Sequence, residues 1–158
     1  MPARQTRQSE DVAGTVIAIE GRAALLRGPS GSGKSDLAFR LVKQEAALLV
    51  GDDHIDLGLE GGQLIASPKP GWMGKLELRG LGIITLPALD RAPLCLVIDL
   101  VPRKAVPRLP EPVFETLCGI QLPRLMLHGF DLTCPAKVSI ALQSWPENGF
   151  PGDDGLVG

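Results

Sequence analysis

The sequence predicts a single α/β domain with a β-rich core and few helices. Three observations carry that prediction. The length, 158 residues, suits one domain whose core buries about two-thirds of the surface of the unfolded chain. A glycine-rich segment ending in Gly33-Lys34-Ser35 lies between a strand-like run and a helical one, the order expected of a phosphate-binding loop. The other apolar runs are short and are punctuated by 19 glycines and 14 prolines, which favours strands and turns over helices.

Thr15 to Glu20 alternates and is β-branched, and Ala23 to Leu26 is a short apolar run, so the two form a hairpin turning at Glu20-Gly21-Arg22. Lys34 to Lys43 places Leu37, Ala38, Leu41 and Val42 at helical spacing with no Pro or Gly, which predicts the first helix. Ala46 to Val50 is a continuous apolar run, the form of a buried strand that delivers Gly51-Asp52-Asp53 at its carboxyl end. Ile55 to Leu59 and Gln63 to Ala66 flank Glu60-Gly61-Gly62 as a second hairpin. Leu76 and Leu78 are separated from Ile83 to Leu86 by Gly80 and Gly82, which predicts one strand broken or bulged at a functional turn. Leu94 to Leu100 is the most strongly apolar strand. Pro102, Pro107, Pro110 and Pro112 mark a loop carrying Arg103, Lys104 and Arg108, a docking surface for a protein acceptor or simply solvated charge. Two short strands follow near 113–117 and 120–127, and Pro135 to Gln143, behind Thr133, is a closing helix with proline in its first turn. The folded domain is expected over 12–145, with the polar residues 1–11 and the breaker-rich residues 146–158 as flexible tails.

Composition excludes several classes of function. Apolar residues make up 44% and charged residues 22%, values of a folded globular chain and not of a disordered or fibrous one. The net charge of −2 lacks the lysine and arginine excess that nucleic acid or an anionic membrane recruits, so no nucleic-acid or membrane partner is expected. No apolar run approaches the ~20 residues that cross a bilayer, and the first ten residues hold no signal-peptide core. A cytoplasmic location is therefore expected. Cys95, Cys118 and Cys134 are odd in number, widely spaced and without a CxxC pair, which predicts reduced core residues and not a disulfide framework or zinc site.

The chemistry centres on Gly28-Pro29-Ser30-Gly31-Ser32-Gly33-Lys34-Ser35, a match to G-x-x-x-x-G-K-[ST] in its proper context. Glycines 28, 31 and 33 let successive backbone N–H groups converge on phosphate oxygens, and the helix that follows adds its positive end. Lys34 would reach the β- and γ-phosphates as a mobile charge, and the Ser35 hydroxyl would be a magnesium ligand. ATP and Mg2+ are the implied ligands. Phosphoryl transfer further needs a carboxylate near the metal and a group that handles the acceptor's proton. Two strand ends offer one: Asp52 with Asp53, or Asp99 within Leu96-Val97-Ile98-Asp99-Leu100. Asp52, His54 and Asp56 would share a face of a strand, but a magnesium–nucleotide site prefers oxygen ligands, which leaves His54 as a turn or surface residue. His128 reads as structural.

Three segments resemble one family: Gly28 to Ser35, Leu49 to Asp53, and Gly74-Lys75-Leu76-Glu77-Leu78-Arg79-Gly80-Leu81-Gly82-Ile83-Ile84. Together they resemble the C-terminal catalytic domain of HPr kinase/phosphorylase, in the short form seen in alphaproteobacteria. The third segment is the discriminating one, since ordinary P-loop proteins lack it, and the likeness covers roughly 12–142. The resemblance implies a P-loop kinase fold related to phosphoenolpyruvate carboxykinase. It implies phosphorylation of a serine of HPr, the phosphocarrier of the phosphotransferase system, by ATP or pyrophosphate, reversed by phosphorolysis with inorganic phosphate. By the same resemblance Lys34 holds phosphates, Ser35 and Glu77 hold magnesium, and Asp52 exchanges the proton of the acceptor. Asp53 would support it or stand in the outer shell of the metal, Glu77 and Arg79 belong to the signature, and Arg108 is similar to an arginine that neutralises the transferring phosphoryl. A homohexamer is also implied.

The chain departs from the family at two places. Ala13 stands where the family has a histidine beside the catalytic aspartate, which removes the usual polar partner of Asp52. A Pro/Gly/Arg-rich segment associated with dephosphorylation is reduced to Leu122-Pro123-Arg124-Leu125-Met126-Leu127. Two other readings stay open on the residues alone: a P-loop kinase or nucleotidase with a small-molecule acceptor, and a catalytically weak ATP-binding regulatory module.

Overall fold

A computed structural model describes residues 9–144. In chain order these form β1 (Ser9–Ala13), β2 (Thr15–Ile19), β3 (Arg22–Arg27), α1 (Lys34–Glu45), β4 (Leu48–Gly51), β5 (His54–Glu60), β6 (Gln63–Pro68), β7 (Lys75–Leu78), β8 (Gly82–Thr85), β9 (Ala92–Leu100), β10 (Phe114–Leu117), β11 (Ile120–Leu127) and α2 (Cys134–Ser144), with one 3₁₀ turn at Arg103–Ala105.

Nine strands join in one sheet along the path β1-β5-β6-β9-β3-β2-β4, with β11 added to β9 and β10 to β11. The long strand β9 organises it. Its first residues pair antiparallel with β6, while Val97 to Leu100 pair parallel with β11 on that same side, and its other edge runs parallel to β3. The carboxyl ends of β3, β9 and β11 therefore emerge side by side, which is where ligands bind in parallel α/β sheets.

Alternation splits the core in two. Ile17, Ala24, Leu26, Leu49, Leu96 and Ile98 face α1 and α2 in one apolar cluster. Their neighbours Val16, Ala23, Leu25, Val50 and Val97 face the opposite side and pack with Ile55, Leu57 and Leu64 of the β5–β6 hairpin. A strand buried on both faces must read as a continuous apolar run, which explains Leu94 to Leu100 and Ala46 to Val50. Among the described residues no helix is long and apolar enough to cross a membrane.

The structure corrects three sequence expectations. Residues 9–11, assigned to a flexible tail on polarity, belong to β1, whose backbone pairs with His54 to Gly58 while the side chains of residues 9–11 stay exposed. The rest of the expected tails lies outside the described residues. The segment 75–86 is not one broken strand but a separate hairpin, β7 and β8 paired from Lys75↔Thr85 to Leu78↔Gly82. Helix α1 extends to Glu45, and Ala46 closes it in a left-handed conformation (φ 58°) with its N–H on Leu41 O, so the next strand starts only at Leu48. Cys118 and Cys134 are buried, Cys95 partly so, and all three are free; burial pushes the Cys134 thiol up to about 11.

Candidate active site

The loop 28–33 leaves the end of β3 and enters α1 at Gly33, whose φ of 98° is open only to glycine at little cost. No side chain caps this helix end, so its first-turn N–H groups and positive dipole face the loop. Lys34 curls over the loop and donates from Nζ to Gly28 O at 2.6 Å and Pro29 O at 3.3 Å. Ser32 Oγ is buried inside it with no hydrogen-bond partner among the described residues. This is a cradle of donors suited to an anion.

Asp52 lies at the mouth of the cradle because β4 ends one residue earlier. Its carboxylate gathers donors from three elements: the Thr15 hydroxyl of β2 at 2.8 Å on Oδ1, the Ser35 hydroxyl of α1 at 3.2 Å on the same oxygen, and the Glu77 backbone N–H of β7 at 3.3 Å on Oδ2. Thr15 is fully buried. The chain then turns sharply at Asp53, whose φ is 75° while His54 N–H reaches back to Asp52 O at 2.9 Å. That γ-turn is strained, and it fixes the Asp52 carboxylate on the P-loop side while Asp53 faces solvent. Thus the fold brings Asp52 and Ser35 together, and Glu77 joins them through its backbone. Thr15 was not legible in the sequence, where it is only the β-branched start of a strand; it supplies the polar partner that Ala13 does not.

Asp99, the rival carboxylate, is engaged elsewhere. Arg27 donates to it at 2.8 and 3.1 Å and Arg124 at 2.5 Å, and Arg27 also donates to Glu115 at 2.6 and 2.7 Å. Burial alone would raise the Asp99 pKa, but these hydrogen bonds from Arg27 and Arg124 outweigh it and hold the carboxyl below its ordinary range. Arg27 does the same to Glu115. A carboxylate clamped by two arginines is a structural lock between β3, β9, β10 and β11, which leaves Asp52 as the carboxylate at the mouth of the cradle.

The other predicted residues are placed less tightly. The Glu77 side chain is exposed on β7, between the buried Leu76 and Leu78 that anchor the hairpin, and Arg79 is exposed in the turn that follows. Asp53 is exposed, with His54 Nε2 at 3.7 Å from its carboxylate. Asp56 pairs with Lys69 instead of facing His54. Arg108 lies exposed in the loop before β10 and makes no hydrogen bond or ion pair among the described residues, so nothing here brings it to Asp52. His128 holds the loop after β11 by its Nδ1 on Val101 O at 2.9 Å. For magnesium the donor set fits in kind: a hydroxyl at Ser35 and carboxylates at Glu77, Asp52 and Asp53 are all hard oxygen ligands. Among the described residues no three His, Cys, Asp or Glu side chains form a metal site unaided, so nucleotide phosphates and water would complete the shell.

The fold and site define a class, an α/β domain of the P-loop nucleotide-binding type with an acid–hydroxyl pair at the phosphate cradle. The model of the HPr Serine kinase C-terminal domain family matches residues 4–90. The chain belongs to that family. It is similar to the HPr kinase/phosphorylase of Clostridium tetani, 42% identical over 76 residues, which are 48% of this chain and 25% of that protein. The HPr kinase/phosphorylase of Clostridium beijerinckii matches at 41% over the same length. The match thus spans about a quarter of these curated relatives. In solved structures, the Hpr(Ser) kinase/phosphatase from Coxiella burnetii superposes with a TM-score of 0.76 at 26% identity, covering 85% of this chain and 89% of that one.

Proposed function

We propose that this chain is an ATP-dependent serine kinase acting on the phosphocarrier HPr, in the cytoplasm and as a homo-oligomer, a hexamer by resemblance. The observation that carries the reading is the convergence of Thr15, Ser35 and the Glu77 N–H on Asp52 at the mouth of the phosphate cradle, in a member of this family.

The loop N–H groups and Lys34 bind the β- and γ-phosphates, and Asp52 receives the acceptor serine. As the serine oxygen bonds to the γ-phosphorus, the bond to the β–γ bridging oxygen breaks, ADP leaves and the serine proton passes to Asp52. A serine hydroxyl loses its proton late, so Asp52 works chiefly by positioning, and charge neutralisation by Lys34 and, by resemblance to the family, Arg108 dominates the rate. Magnesium held by Ser35 and Glu77, with Asp53 in its outer shell, would supply further neutralisation of the phosphates. Arg79 keeps the signature turn beside this edge of the site. In the reverse direction inorganic phosphate attacks phosphoserine, pyrophosphate leaves, and Asp52 returns the proton to the serine oxygen.

The test is transfer of labelled γ-phosphate from magnesium–ATP to purified HPr. Label on a serine of HPr is expected, reduced about a hundredfold or more in Asp52→Asn while ATP binding persists. ATP binding with no label in the wild type overturns the kinase reading and leaves a small-molecule acceptor or a regulatory nucleotide sensor.

A further inference from the structure

Phe130 keeps 51% of its surface open although it sits directly on the phosphate cradle. A Cβ on Gly33 would lie 3.0 Å from Phe130 Cζ, and a Cβ on Gly129 would lie 2.7 Å from Ser32 O. Two glycines thus allow the loop after β11 to close against the P-loop, and any side chain at either position would push the two apart. The loop is also rigid. His128 is tied to Val101 O, Arg40 donates to the carbonyls of Gly129 and Asp131, and Arg103 donates to the Asp131 carboxylate at 2.7 Å. The His128 ring packs on Phe130 in an edge arrangement, with centroids 6.0 Å apart and planes at 66°. About half of Phe130 therefore presents an open face to solvent beside the cradle.

Topology says what belongs against that face. Because β3, β9 and β11 are parallel, the loops that follow β9 and β11 flank the P-loop where a nucleotide lies. Of these, the loop carrying Phe130 touches the cradle itself. A triphosphate seated on Lys34 and the α1 N-terminus would have its nucleoside carried toward these flanking loops. We propose that Phe130 is the stacking platform for the base of a nucleoside triphosphate, and that it is what distinguishes ATP from inorganic polyphosphate at this site. The inference rests on the phosphate-binding reading above and adds a subsite to it. Stacking suits the position, since every base offers a π-face and a single fixed ring loses little entropy on binding.

Calorimetric titration with magnesium–ATP and with magnesium–tripolyphosphate separates the two readings, because the second ligand has the phosphates and no base. Phe130→Leu, which keeps an apolar group over Gly33, is expected to weaken ATP binding about five- to a hundredfold and leave tripolyphosphate unchanged. Phe130→Tyr should restore ATP binding. Equal loss of both ligands in Phe130→Leu would show that the ring only props up the cradle, and no loss of either would show that no stacking occurs; each overturns the proposal. Wild-type protein that binds tripolyphosphate as tightly as ATP overturns the base subsite alone, whereas wild-type protein that binds neither overturns the phosphate site as well.

Discussion

A single carboxylate, Asp52, is held by three donors from strands and a helix far apart in sequence, and its function follows from how each donor constrains it. The Thr15 hydroxyl is buried and reaches across 37 positions. It orients one oxygen of the carboxylate, and the Glu77 N–H orients the other. Thr15→Val keeps the shape of the β2 side chain and deletes only that donor. A hydrogen bond to a charged group contributes about 1.5–3 kcal/mol, and its loss falls partly on stability and partly on the position of Asp52. We therefore expect Thr15→Val to fold with a modest drop in melting temperature, to bind ATP as before, and to transfer phosphate roughly tenfold more slowly, with kcat falling and KM little changed. Thr15→Ser should recover most of the rate. Equal kcat in Thr15→Val and wild type would exclude the positioning role. The motif residues Gly28 to Ser35 and the Gly51-Asp52-Asp53 strand end were legible because each is local in sequence. Thr15 was not, because nothing within its own strand signals a partner on another.

Elements lock to one another through the cluster of Arg27, Asp99, Glu115 and Arg124, which ties the ends of β3, β9, β10 and β11 next to the P-loop. Its members are partly exposed, between 17% and 34% by side chain, so solvent screens it and its contribution is well below that of a fully buried pair. Asp99 and Glu115 both have folded-state pKa values below their ordinary 3.8 and 4.5. Their stabilisation is therefore complete above those ordinary values and is lost as the pH falls through the lower, folded-state values. Asp99→Asn is expected to lower the unfolding free energy at pH 7 by about 1–2 kcal/mol, measured by urea titration, and the gap to wild type should shrink as the pH falls below the ordinary carboxylate value of 3.8. A gap that stays constant with pH would assign the loss to packing instead. At this scale the sequence was mostly legible. Alternation and glycine turns located the hairpins β2–β3 and β5–β6, helical spacing located α1, and Thr133 with a proline in the first turn located α2. It failed where pairing partners decide the outcome: β1 is mostly polar because its place in the sheet is set by backbone pairing with β5 and only Val12 packs on the core, and the β7–β8 hairpin looks like one interrupted strand because its turn is as glycine-rich as a bulge.

At the scale of the fold, two apolar clusters lie on opposite faces of one sheet, which is why the described residues, with two long helices among them, still bury their strands on both sides. The β7–β8 hairpin is set apart from that arrangement. It docks through Leu76 and Leu78, yet Trp72, Met73, Leu81 and Ile83, all in or next to it, are exposed, Leu81 to 71%. Exposed apolar side chains grouped in this way suit an interaction site. The homo-oligomer proposed above offers the occupant: another copy of the same hairpin edge, since a face that meets itself gives closed two-fold symmetry. Leu81→Glu combined with Ile83→Glu is then expected to shift sedimentation velocity from an oligomer to a smaller species at micromolar concentration. Because both side chains are exposed in the single chain, the change should leave its helix content by circular dichroism intact. If the wild type already sediments as a monomer, self-association through the hairpin is excluded. If the charged variant keeps the wild-type oligomer but raises the KM for HPr, the hairpin contacts the acceptor and the subunit interface lies on another face.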